Sequence, residues 1–414
     1  MARHRSEAEL RRAKPSGAGA RATRRHGFAG NTAVVGIGAT EFSKNSGRSE
    51  LQLAVEACTA ALEDAGVDAR QVNGLSTFTM ETNPENDVMR SLGIPELTHF
   101  SRIHFGGGAP CGTVQYAAMA VNEGVADYVL CYRAFNERSG RRFGAGMQDR
   151  VAGATAEEAQ FSWTSPYGLL TPASWVAMFA TRIMHEYGVT SEDFGRVAVA
   201  DRKHAATNPA AHFYGAPITL EDHQESRFIV EPLHLLDCCQ ETDGGQALLV
   251  TTLERARDLR RPPVVIDAAA QGMADDQQMM RSFFRDSLVG LPEMGVCARQ
   301  LWETSGLGPD DVQTAVIYDH FTPFVLPQLE EFGFCGRGEA KDFMRDGAIE
   351  LGGRLPINTH GGQLGEAYLH GMNGIAEGVR QVRGTSVNQV PDVEHVLVTA
   401  GTGVPTSALV LGRA

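Results

Sequence analysis

Two stretches of the chain place proton-carrying side chains where the backbone can act on them. In GGQLGEAYLHG, residues 361–371, Tyr368 and His370 follow the glycine pair Gly361 and Gly362 at the apparent start of a helix. Backbone N–H groups are unpaired at such a start and the helix dipole is positive there, which favours a phenolate. In TAVIYDHF, residues 314–321, Tyr318 and His320 follow an apolar run. That places them at the carboxyl end of a strand, where sites in α/β folds gather. Asp319 alternates with His320 and should face the other way. A phenol can donate or accept a proton, but its ordinary pKa of about 10 makes it a poor base at neutral pH unless charge or donors favour the anion. A third candidate is Cys111 in GGGAPCG, ahead of a helix whose dipole would favour the thiolate.

The elements that must hold these groups alternate between strand and helix. NTAVVGIGATEF reads as a buried strand. SELQLAVEACTAALEDAG follows as an amphipathic helix, opened by a Ser49/Gln52 capping box and closed by Gly66. VNGLSTFT, TVQYAAMAVNEG and ADYVLCYRAF continue as strand, helix and strand. The order then repeats, with Gly66, Val72 and Phe78 falling against Gly306, Val312 and Tyr318 at a constant offset. A glycine pair precedes a helix in each half, Gly107 and Gly108 first, Gly361 and Gly362 second. Such recurrence predicts a duplication of two α/β halves about a pseudo-twofold axis, residues 28–260 and 261–414. Residues about 135–225 interrupt the first half as an inserted region containing two helical segments. Residues 1–27, rich in Arg, Ala, Ser and Gly, read as a disordered basic tail.

Composition excludes several classes. A net charge of −13 argues against a nucleic-acid partner. Seven cysteines without zinc-type spacing indicate neither a disulfide framework nor a metal, and the adjacent Cys238 and Cys239 read as core residues. No apolar run is long enough to span a membrane and no secretory leader is evident, so a cytoplasmic protein is expected. GIGATE at Gly36 lacks the third glycine of a dinucleotide fingerprint, and DFG at Asp193 has no kinase companions.

The segments MHEYGVTSEDFGRVAVADRKHAATNP, EPLHLLDCCQETDGGQALLV, VIYDHFTPFVLPQLEEFGF, INTHGGQLGEAYLHG and VTAGTGVPTSALVL resemble the thiolase superfamily over nearly all of residues 30–414. The likeness is nearest to its sterol-carrier-protein-type branch. It implies a thiolase-like α/β fold of two pseudo-symmetric βαβαβ-type halves in α/β/α/β/α layers.

Against the family's catalytic pattern the chain departs in every motif. Tyr368 stands at the histidine of the G-H-P motif, and Tyr318 stands where this branch has a second histidine. The C-terminal motif reads Ala400, Gly401, Thr402, Gly403 with no cysteine. Val114 replaces the glycine expected three residues after the nucleophile, whose place falls nearer Gly107, so Cys111 reads as a packing residue.

Within the superfamily this loss resembles the aldolases that cleave steroid side chains as CoA thioesters. The resemblance implies retro-aldol cleavage of a 17-hydroxy-20-carboxyl-CoA steroid to a 17-ketosteroid and propionyl-CoA. Tyr318 and Tyr368 would be the catalytic pair, and no metal or bound cofactor would be needed beyond the CoA thioester substrate. His320, His360 and His370, with the backbones around Gly108, Gly362 and Gly403, are candidate donors to an enolate oxygen. The resemblance also implies a homodimer joined to the OB-fold domain of an acyl-CoA hydratase subunit, as a heterotetramer. The alternatives are a thiolase or acyl-CoA acyltransferase using Cys111, and a thiolase-like scaffold without catalysis.

Overall fold

The computed structural model describes residues 26–104, 106–140, 142, 156–278, 280, 282–401 and 406–414. The expected N-terminal tail lies outside the described residues except for His26 and Gly27. The first half contributes β1 (Thr32–Ala39), β2 (Gly74–Phe78), β3 (His99–Ile103), β4 (Val129–Asn136) and, after a small hairpin of β5 (Phe228–Val230) and β6 (Leu233–His234), β7 (Asp243–Thr252). The second half contributes β8 (Val264–Gly272), β9 (Thr314–Val316), β10 (His395–Ala400) and β11 (Thr406–Arg413).

Nine of these form one sheet in the order β3-β2-β4-β7-β1-β8-β11-β10-β9. In the first half β1 pairs antiparallel with β7, β7 antiparallel with β4, and β4 parallel with β2. The second half repeats this pattern as β8, β11, β10 and β9. The halves meet where β1 lies antiparallel to β8, Ala33 opposite Val265. The duplication in the sequence is therefore a duplication of topology.

The helices that matter here are α1 (Glu50–Ala65), α2 (Pro110–Asn122), α3 (Pro172–Tyr187), α4 (Ser191–Thr207), α5 (Pro292–Ser305) and α6 (Met372–Arg383). Ser49 caps α1 by accepting from the Gln52 N–H at 3.2 Å, and Gly66 closes it at φ 73°. The predicted box is only half made, because the Gln52 side chain turns to Glu56 instead. Gly36 and Gly38 explain GIGATE: a Cβ on either would lie 2.2 Å from the Ala61 backbone, so their absence lets α1 pack flush on β1.

Three apolar cores separate the layers. One packs α1 on the outer face of the first half. A second encloses α2 and α6 between the halves, with Val114, Ala118, Ile375 and Val379 fully buried. The third lies outside the second half and joins α5 to α3 and α4, through Val176, Ile183, Phe194 and Val197 against Ala268, Ala315 and Ile317. The inserted helices thus belong to the first half by chain order and to the second by packing. Among the described residues no helix is long and apolar enough to cross a membrane.

Candidate active site

The central helices bring two glycine loops into contact. Gly401, at φ 54°, approaches the loop before α2 so closely that a Cβ on it would lie 2.2 Å from the Gly108 nitrogen. Ser407 Oγ donates to the Gly108 carbonyl at 2.7 Å. Against this junction sits Tyr318, two residues beyond β9 and 2% exposed. Its N–H donates to Thr399 Oγ1 at 2.9 Å, and its carbonyl accepts from Gln328 Nε2 at 2.8 Å. The ring is slotted between two glycines. A Cβ at Gly107 would meet Tyr318 Oη at 2.2 Å, and one at Gly371 would meet Tyr318 Cε2 at 3.0 Å. The place that the sequence assigns to a lost nucleophile is therefore filled by a phenolic oxygen.

Tyr368 does not sit in the first turn of a helix, as the sequence suggested. Gly362–Gly365 forms a single turn, and α6 begins only at Met372, after Gly371 at φ 89°. Glycine spacing marked the turn and the helix as one element, and the chain breaks them with a loop. Tyr368 occupies that loop, partly exposed, its N–H donating to Thr242 Oγ1 at 3.3 Å. Its ring packs edge-on to Phe135 and to His370, with centroids 6.4 and 5.1 Å apart.

The helix-dipole route to a phenolate is thereby removed. Burial instead holds both phenols well above their ordinary pKa, and the contact between them acts oppositely on the two: Tyr368 as donor eases ionisation of Tyr318, while its own is opposed. Tyr318 Oη makes no hydrogen bond of regular geometry among the described residues. Such contacts commonly tighten when a substrate arrives.

His370 adopts φ 53° and stacks on Phe135 at 5.1 Å. Its Nδ1 lies 3.2 Å from Arg133 Nε, which can only donate. The neutral ring must then carry its proton on Nε2, the atom that faces Gly106. Burial and the Arg133 charge hold His370 well below its ordinary pKa. Arg133 is anchored by Glu81 at 2.9 Å, both side chains buried. His320 tilts against Tyr318 at 4.8 Å and stacks on Phe324 at 5.3 Å, and burial lowers its pKa to about 3. Both imidazoles are neutral groups beside the phenols.

The other candidates divide. Gly108 is part of the junction beneath Tyr318. Gly362 is not, since a Cβ there would strike Asp319 Oδ2 at 2.1 Å, away from the phenols. His360 faces Glu366, 3.9 Å away. Gly403 lies outside the described residues. Cys111 is fully buried, its thiol directed at the Val398 carbonyl at 3.7 Å and pushed up in pKa by desolvation rather than activated. Among the described residues no cluster of three or more His, Cys, Asp or Glu side chains could hold a metal.

Sequence reasoning missed Arg133, Glu81, Glu137 and Cys239. Glu137 follows β4, is 3% exposed and is pushed well above the usual carboxylate range by burial and Glu241. Cys239, which the sequence reads as a core residue with Cys238, lies near both phenols, and burial and Glu137 push its thiol well above its ordinary pKa, so it stays uncharged there. The only sign of Arg133 in the sequence is a lone charge inside the otherwise apolar run of β4.

A cleft of about 780 Å³ opens beside Asn73, Asp127, Tyr128 and Arg255. These residues precede β2 and β4 or follow β7, so that cleft lies at the end of the sheet opposite the phenols. A smaller cavity of about 40 Å³ adjoins the site. Trp175, Phe179, Phe283 and Leu291 line it with Phe324, whose ring stacks on His320.

The duplicated topology, the paired glycine loops and the two central helices define a class. The thiolase N-terminal domain family matches residues 32–254 and the thiolase C-terminal domain-like family residues 276–413, and the chain belongs to the thiolase superfamily. Within it, similarity is high to a steroid side-chain-cleaving aldolase of Thermomonospora curvata, 67% identical over 92% of this chain and 98% of that one. The chain is also 68% identical to a 17-hydroxy-3-oxo-4-pregnene-20-carboxyl-CoA lyase of Mycobacterium tuberculosis, over 93% of this chain and 100% of the other. A solved Ltp2-ChsH2(DUF35) aldolase superposes with a TM-score of 0.90 at 66% identity, over 93% of this chain and 98% of that chain. Human mitochondrial 3-ketoacyl-CoA thiolase shares the fold at a TM-score of 0.65 and 14% identity.

Proposed function

We propose that this chain is a lyase that cleaves a 17-hydroxy-20-carboxyl-CoA steroid by retro-aldol chemistry, with Tyr318 and Tyr368 as the catalytic pair. The products are a 17-ketosteroid and propionyl-CoA, a step in steroid side-chain degradation. The observation that carries this reading is the overlap of Tyr318 Oη with the Cβ position of residue 107. A side chain at 107 and this phenol exclude each other, which supports proton transfer in place of an acyl-enzyme. High identity to proteins named for that cleavage supports the substrate.

The reaction moves one proton. The tertiary hydroxyl gives up its proton, the bond between the carbinol carbon and the thioester α-carbon breaks, and its electron pair becomes the thioester enolate. The α-carbon then takes a proton. Two neutral phenols in contact can perform this without a standing phenolate as one concerted relay: the first accepts from the substrate as it passes its own proton to the second, which in the same step gives its own proton to the α-carbon, so no oxonium forms. Each phenol ends as it began. Neutral His320 and His370 flank the pair, and an Nε2–H on His370 would stabilise the enolate oxygen without adding a charge.

In this reading the chain works in the reducing cytosol as a homodimer that carries an OB-fold partner domain from an acyl-CoA hydratase subunit. The solved two-component aldolase supports a partner. Phe100, 67% exposed on the edge strand β3, supports self-association, because an unpaired strand edge is otherwise a liability. The test incubates the purified chain and partner with candidate hydroxyacyl-CoA thioesters and reads ketone and propionyl-CoA by mass spectrometry. Acyl transfer to free CoA in place of cleavage would refute it.

A further inference from the structure

Asp201, on the inserted helix α4, takes no part in the proton transfer described above. It is fully buried, and its Oδ1 makes no conventional hydrogen bond. The group against it is another carboxyl, Asp319, 1% exposed. Two carboxylates cannot share such a place unless one carries a proton. The proton belongs on Asp201, since Asp319 already accepts from two backbone donors: the Gln363 N–H at 2.8 Å to Oδ1 and the Leu364 N–H at 3.0 Å to Oδ2. Burial and the neighbouring charge raise Asp201 well above the usual carboxylate range, and His360 is the other titratable group acting on Asp319.

Asp319 directly follows Tyr318 in the chain, and the turn that it caps leads to Tyr368. The Gln363 side chain continues the connection, its Oε1 accepting from the Leu369 N–H at 3.3 Å, one residue past Tyr368. Asp201 also reaches the strand end by a second route. Its Oδ2 accepts from Asn358 Nδ2 at 3.4 Å, and Asn358 Oδ1 accepts from the Ile317 N–H at 2.9 Å. Gly361 and Gly365 let α4 approach the turn, since a Cβ on either would lie 2.6 Å from the Ala205 Cβ.

We propose that Asp201 is a positioning residue for the tyrosine pair: as a neutral acid it donates to Asp319, letting one carboxylate hold the Tyr318 strand end and the Tyr368 loop in fixed relation. This rests on the aldolase reading, and the experiment separates the two. Wild type, Tyr318→Phe, Asp201→Asn, Asp201→Ala and Asp319→Asn are compared with partner present. An asparagine at 201 keeps a donor, so Asp201→Asn should retain kcat within about threefold. Asp201→Ala should lower kcat at least tenfold with KM within twofold. Asp319→Asn should lower kcat similarly, because an amide oxygen and an amide N–H cannot both accept. A crystal structure of Asp201→Ala should show the phenolic oxygens displaced from each other.

Absence of cleavage by wild type, or full activity in Tyr318→Phe, overturns the aldolase reading. With those intact, unmoved phenols in the Asp201→Ala structure, or Asp201→Asn as damaged as Asp201→Ala, overturns the role of Asp201. Should Asp201→Ala fail to fold, the remaining pair decides: full activity in Asp319→Asn overturns the role, and loss there with retention in Asp201→Asn supports it.

Discussion

Gly107→Ala is the smallest change that tests whether a phenol has displaced a nucleophile. The added Cβ would stand 2.2 Å from Tyr318 Oη, 2.6 Å from its Cζ and 3.1 Å from Cε1. To regain ordinary contact the ring must retreat by roughly 1 Å. Its opposite edge is already held against Gly371 and its backbone is fixed by Thr399 and Gln328. Overpacking of this kind costs about 1–3 kcal/mol, and a misplacement of about 1 Å in a catalytic group costs roughly 10²-fold in rate. Urea unfolding gives the first figure and propionyl-CoA release the second. Combining the change with Tyr318→Leu, which removes the ring, should recover most of the stability and none of the activity. A Gly107→Ala protein with native stability and native turnover would refute the overlap and the exclusion drawn from it.

Tyr318→Phe and Tyr368→Phe should each slow cleavage by roughly 10²–10⁴-fold, with circular dichroism unchanged because Tyr318 Oη makes no regular hydrogen bond. Both phenols are held well above their ordinary pKa of about 10, so they stay protonated through neutral and mildly alkaline pH; kcat should be flat from about pH 6 to 10 and fall only in stronger alkali. A kcat rising through pH 7 would instead require a standing base. Cys111→Ala should leave turnover within about twofold and cost about 1 kcal/mol of stability, and loss of activity would revive the thiolase alternative. Glu81→Gln, which strips the buried Arg133 of its counter-charge, should cost about 3–5 kcal/mol by urea unfolding.

The recurrence of strand and helix in the second half was legible because duplication repeats glycines and apolar runs at fixed spacing, whereas the two tyrosines stood out only by their place in the family's motifs. Local pattern also gave Gly66 and Ser49 as the ends of α1. It failed at Tyr368, where Gly362 and Gly371 each start a helical turn and the sequence reads as one continuous start. It failed for His360 and Gly362, which lie a few residues before Tyr368 yet face Glu366 and Asp319. Arg133, Glu81 and Asp201 act from strands and helices distant in the chain. Spacing within a segment carries no information about which buried charges will meet across segments.

The inserted helix α4 leaves its own half and becomes the floor beneath the loop of the other. A molecule built by doubling has in this way become indivisible. Severed at the midpoint, the C-terminal piece would keep both tyrosines yet lose the ground on which one of them stands, and neither fragment could restore it alone.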